Sequence, residues 1–181
     1  MSKGIVVAVT LLMLSGCVSN PINRATSDNY AEACDIAEQN GNLKVAEEAC
    51  YRALVNTDWG NLGNDLKSEK LYNLARIKRQ LAKFQEAESL LNQSLEIEEN
   101  KSTTVNAKIG RRLVELSVNL AALDRWQEGA SAIEKVIPIA NQYSGQERQF
   151  IILVLEKYGE HFKSTGNKEK GQLFLTRSRN L

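Results

Sequence analysis

"LYNLARIKRQLAKFQEAESLLNQSLEIEEN", residues 71–100, holds two helical patterns on either side of one bulky residue, Phe84. Apolar or small residues stand at Leu74, Ala75, Phe84, Ala87 and Leu95. Ala75 and Ala87 are twelve positions apart, with the polar turn before Phe84 between them. The same order recurs in "NGNLKVAEEACYRAL" (40–54), "LDRWQEGASAIEKVI" (123–137) and "TGNKEKGQLFLTRSR" (165–179). Each has a pivot (Leu43, Phe84, Trp126, Lys168) and, three residues later, a small residue (Ala46, Ala87, Gly129, Gly171). Those small residues are spaced 41, 42 and 42 apart. Twelve positions before each stands another small one: Cys34, Ala75, Ser117 and Gly159. Two antiparallel helices approach closely only where side chains are small, so each pair marks a point of closest contact across a short turn. A fixed period of this size is the mark of stacked helix pairs.

Composition agrees. Ala, Leu, Glu, Lys, Gln and Arg dominate, and all form helices well; there are two prolines in 181 residues. Lys and Arg number 23 against 22 Asp and Glu, and removal of residues 1–16 takes away Lys3 and leaves 22 against 22. A balanced chain of this kind has no field to gather nucleic acid or an anionic surface.

The repeat resembles the tetratricopeptide (TPR) family over roughly residues 27–181. The resemblance implies an all-α fold, a right-handed superhelical array of antiparallel helix pairs, with about four units. The family unit is about 34 residues, so each unit here carries about eight more. Lys168 departs from the aromatic pivot, Pro138 lies slightly early for a closing proline, and no capping helix follows the fourth unit. Helices are expected at 28–40, 43–56, 66–81, 84–99, 104–122, 125–142, 147–164 and 168–179. Ser27 or Asp28 is the expected first cap, and Ser102 and Thr103 restart the chain. Pro138 should kink or end the sixth helix near Ile137. "FIILVL" (150–155) is apolar on every side, so its burial between units is expected.

Before the repeats stands "MSKGIVVAVTLLMLSGCVSN" (1–20). Lys3 is a basic head, and the apolar run from Gly4 to Leu14 is far shorter than the ~20 residues of a spanning helix. It matches the centre of a secretory signal. Leu14-Ser15-Gly16-Cys17 resembles the lipobox of bacterial lipoproteins. That resemblance implies a signal peptide over 1–16, diacylglycerol on the Cys17 thiol, cleavage after Gly16, and acylation of the freed amine by a palmitate-type chain. Two or three acyl chains anchor firmly where one does not. Residues 17–26 would then be the lipidated terminus and a linker, "VSNPINRAT" being its visible part. Val18, where inner-membrane lipoproteins commonly have Asp, implies the outer membrane, periplasmic face.

Export to an oxidising compartment gives Cys34 and Cys50 two readings: a disulfide across the first helix pair, or two small buried thiols chosen for size. The chain carries little other reactive chemistry. His161 is the single histidine and reads as a surface or packing residue. No metal-ligand spacing, nucleophile–base pair or phosphate loop is present, so no catalytic residue, cofactor or metal is expected.

The family resemblance places the first helix of each unit on a partner-binding groove. Its expected lining includes Asp28, Asp35 and Glu38, then Tyr72, Arg76 and Arg79, then Arg111, Val114 and Val118. Tyr and Arg are favoured interface anchors, and Arg76 with Arg79 can grip a partner carboxylate. The alternative pairs Arg76 with Asp35 and Arg79 with Glu38, filling the groove from within. The expectation is a membrane-tethered scaffold for another envelope protein or peptide, in pilus, secretion or cell-wall assembly. The rival is a cell-wall glycan or peptide binder that regulates an envelope hydrolase. The uncapped fourth unit also allows a homodimer.

Overall fold

The computed structural model describes residues 20–101 and 104–181. The signal segment, Cys17 and the restart at Ser102 and Thr103 lie outside the described residues. Among those residues the regular structure is entirely helical: α1 Pro21–Gln39, α2 Leu43–Trp59, α3 Asn64–Gln80, α4 Phe84–Glu99, α5 Ala107–Ala122, α6 Trp126–Glu134, a short 3-10 helix Ile137–Gln142, α7 Gly145–Ser164 and α8 Lys168–Arg179. They form four antiparallel pairs, α1/α2, α3/α4, α5/α6 and α7/α8, stacked in chain order. This is the helical solenoid that the period foretells.

The small residues meet where expected. A Cβ on Gly129 would stand 3.0 Å from the Ser117 carbonyl oxygen, and one on Gly171 2.7 Å from that of Gly159. Cys34, Ala46, Ala75 and Ala87 are all buried. Each turn inside a pair is built alike: Gly41, Ala82, Asp124 and Gly166 take the left-handed conformation, φ 72°, 58°, 60° and 94°. In the first three the next N–H reaches back five residues, Asn42 to Ala37, Lys83 to Lys78 and Arg125 to Leu120, at 2.9 Å each. This closure satisfies carbonyls that the helix end leaves open.

A second rung of contact lies seven residues along. The Ser27 hydroxyl donates to the Ala53 carbonyl at 2.9 Å, and Ser94 donates to the Ser68 carbonyl at 2.7 Å. Ser27 is therefore buried inside α1 and is not its cap. Asn20 caps α1 instead, its side chain accepting from the Ile22 N–H at 3.1 Å, with Pro21 in the first turn. Residues 21–26, expected as linker, are helical for that reason: the cap and the prolyl φ start the helix earlier.

Two further expectations need correction. The sixth helix ends at Glu134, ahead of Ile137. Pro138 has no N–H for the Glu134 carbonyl and its ring crowds that oxygen. The chain tightens into i→i+3 bonds, Val136 to Ile133 and Ile139 to Val136, both 3.0 Å. In "FIILVL", Ile151, Val154 and Leu155 are buried, but Leu153 is 53% exposed. An all-apolar run still has an outer face when only one side of its helix meets neighbours.

The apolar core falls into two clusters. One holds Cys34, Cys50, Leu71, Leu74 and Ile77 in the first two units; the other runs from Leu95 through Ile109 and Leu113 to Tyr158, Phe162 and Phe174. A disulfide joins Cys34 and Cys50, S–S 2.09 Å, across the first pair.

Candidate functional site

The first helices of units two, three and four, α3, α5 and α7, flank a cleft of about 510 Å³. Its walls alternate in charge. Asp65, Glu69 and Arg76 come from α3, Lys108 and Arg111 from α5, Glu147 and Phe150 from α7. Tyr72 also lines it, and the Arg112 and Arg76 guanidiniums lie 5.1 and 5.8 Å from its ring centroid. Both distances allow cation–π attraction. Burial pushes the Tyr72 phenol up to about 12, with Glu115 adding and the arginines opposing. It stays a neutral hydroxyl at physiological pH.

Arg112 is the buried floor. It is 4% exposed and spends its donors inside the protein: Nε on the Ser94 hydroxyl at 2.6 Å, one Nη on the Ser68 hydroxyl at 2.9 Å, the other on the Lys108 carbonyl at 2.8 Å. Glu98, equally buried, supplies its counter-charge at 3.5 Å. Burial lowers the Arg112 pKa from its ordinary value, and Glu98 opposes that shift.

The expected groove residues divide by what they touch. Arg76 donates to Glu38 at 2.6 Å, and Gln80 reaches the same oxygen at 2.6 Å. Arg79 donates to Glu115 at 2.8 Å. Both arginines are thus engaged within the chain, but not with the anticipated residues: Arg76 takes Glu38 rather than Asp35, and Arg79 takes Glu115 rather than Glu38. The shift has a general cause. Lys83–Glu47, Arg79–Glu115, Lys101–Asp65, Arg111–Glu147 and Lys170–Glu134 are each 36 residues apart, and Arg125–Glu88 is 37. Stacked units are staggered, so side chains meet about five residues, roughly one and a half helical turns, short of the repeat period.

Arg111 forks onto Glu147, 2.5 and 3.3 Å, with both side chains near half exposed. Val114 is 4% exposed and belongs to the core between α5 and α7, while Val118 packs partly buried against the same cluster. His161 stacks on Trp126, centroids 3.7 Å apart and planes within 8°, which is a packing role. Reading the sequence missed Arg112, Lys108, Glu147 and Phe150. The signal for Arg112 was its pairing with two small hydroxyl residues, Ser68 and Ser94, that the second rung places beneath it. Among the described residues no group of three or more His, Cys, Asp or Glu is placed to hold a metal. Nor, among them, is any helix long and apolar enough to cross a membrane.

No protein-family model matches the chain, and no curated protein matches it by sequence. Solved structures do. The fold is a TPR-like helical repeat, a class it shares with a Podosopora anserina protein described as a kinesin light chain with nearly identical TPR-like repeats. The two are 18% identical, with a TM-score of 0.65 over 85% of this chain and 74% of that one. BtubC (BKLC) from P. vanneervenii is similar at 20% identity and a TM-score of 0.72. The match covers 87% of this chain and 63% of BtubC, so this chain spans less than two thirds of it. Identities this low establish the fold alone.

Proposed function

We propose that this protein is a lipid-tethered scaffold on the periplasmic face of the outer membrane, and that it holds a segment of another envelope protein in the α3–α5–α7 cleft. The carrying observation is the cleft itself: a continuous surface across three units, with alternating acid and base around Tyr72. An extended peptide bearing both charges meets complementary groups there, while Arg111 and Lys108 are the cations least committed to the interior. Arg76, Arg79 and Arg112 hold the units in register and keep the walls in place. The lipobox-like "LSGC" supports the tether, and the Cys34–Cys50 disulfide fits an oxidising compartment.

The test uses the full-length protein in cells with a photo-crosslinking residue at Phe150. A protein adduct that vanishes on Arg111→Ala plus Lys108→Ala, with an unchanged melting curve, is the expected result. An adduct that survives the double substitution refutes the cleft. Loss of a metabolic acyl label on Cys17→Ser tests the anchor separately.

A further inference from the structure

Two of the most exposed large apolar side chains stand at one end of the first unit. Ile22 is 74% exposed and Trp59 is 77% exposed. Ile22 lies in the first turn of α1, and Trp59 is the last residue of α2. These helix ends are fastened together: the Asn20 N–H donates to the Gly60 carbonyl at 3.4 Å, and Gly60 is so crowded by Asn23 that a Cβ there would meet it at 2.7 Å.

The chemistry of this end is unusual for an otherwise charged surface. Residues 20–24 and 56–64 contain two charged side chains, Arg24 and Asp58. Each has its counter-ion, Asp28 and Lys67, both at 2.9 Å. Much of the rest is amide: Asn20, Asn23, Asn56, Asn61 and Asn64. A neutral, amide-rich surface with an outward tryptophan and isoleucine matches the headgroup layer of a bilayer, where indole rings concentrate because one end is apolar and the other polar.

Its position points the same way. The described chain begins at Asn20, three residues after Cys17. An extended chain covers at most ~3.3–3.6 Å per residue, so the four steps from Cys17 to Pro21 span no more than about 14 Å. The helical start at Pro21 removes most of the slack that a linker to residue 26 would have given. We propose that this end of the first unit docks on the lipid surface, with Trp59 and Ile22 in the headgroup layer beside the anchor. The proposal rests on the tether reading. Two side chains would bind a bilayer weakly alone, but tethering makes the contact intramolecular and raises its effective concentration. Docking would fix the solenoid's tilt and so the direction in which the cleft opens.

The experiment takes the lipidated full-length protein, purified from bacterial membranes and reconstituted in phosphatidylethanolamine–phosphatidylglycerol vesicles. The chain has two tryptophans, so Trp126→Phe leaves Trp59 as the sole indole. Lipids spin-labelled near the glycerol region should quench Trp59 at least about two-fold and shift its emission to the blue. In a Trp59→Phe variant, Trp126 should stay unquenched. A lipidated, vesicle-bound protein whose Trp59 emits as in water, or whose Trp126 is quenched equally, overturns the docking and leaves the tether standing. A mass spectrum without acyl chains on Cys17 overturns both. A photo-crosslinker at Trp59 that captures a protein in cells, and no lipid, overturns the docking in favour of a protein contact.

Discussion

A methyl group added to Gly171 would stand 2.5 Å from Lys163 Cγ and 2.7 Å from the Gly159 carbonyl oxygen. In an open helix, Gly→Ala stabilises by about 1 kcal/mol. Here the two helices must part, and overpacking of that kind costs about 1–3 kcal/mol. Gly171→Ala should therefore lower the melting temperature, measured by circular dichroism. Ala82 favours glycine for a different reason. It holds φ 58° at the turn where Gly41 and Gly166 stand in other units. Ala82→Gly should stabilise by several tenths of a kcal/mol to about 1, because glycine enters that region without the Cβ penalty. Glycine is thus favoured over alanine at both positions, by close helix approach at 171 and by backbone conformation at 82. Urea titration of both variants checks the pair.

At the scale of elements, ion pairs stitch one unit to the next. Glu47 on α2 accepts from Lys78 of α3 and from Lys83 in the turn that follows, at 2.7 Å each. Burial pushes the Glu47 carboxyl up, but these two lysines outweigh it and hold it below its ordinary 4.5. A depressed carboxylate contributes stability that is complete above its unfolded pKa and disappears as pH falls through the folded one. Glu47→Gln should therefore reduce stability at pH 7, with the difference from the parent protein shrinking toward zero as the pH falls below the ordinary carboxylate range. Thermal melts from pH 7 to 3 measure it; a gap that persists in acid would mean that packing, not charge, carries the effect. The common 36-residue separation of such pairs is legible in the sequence only once the stagger is known, since the repeat itself suggests 41 or 42.

The whole molecule is close to one-dimensional. Each helix packs mainly on its neighbours in the chain, so a terminal unit lacks support on one side. The first unit has the Cys34–Cys50 bond as compensation, closing a loop of 16 residues. Chain entropy assigns such a loop about 3 kcal/mol. Cys34→Ala with Cys50→Ala should speed hydrogen exchange in α1 and α2 by up to about a hundred-fold while leaving α5 and α7 nearly unchanged. Equal acceleration everywhere would show that the solenoid unfolds as one unit. Non-reducing mass spectrometry of the purified protein checks the bond itself.

The sequence by itself determined the fold class, the four pairs and their contact points. Cys34, Ala75, Ser117 and Gly159 mark close approach wherever they fall, because absence of side-chain bulk is a local property. Helix ends at Phe84, Glu99, Lys168 and Arg179 were equally legible. The cleft was legible only in part. Tyr72 and Arg111 follow from the repeat frame, but the partners of Arg76 and Arg79 depend on how far one unit slides along the next. That stagger is set by packing of whole helices, and no residue encodes it alone. The same holds for Arg112, an ordinary arginine in sequence, which the tertiary structure buries because Ser68, Ser94 and Glu98 from a different unit meet its charge and its donors.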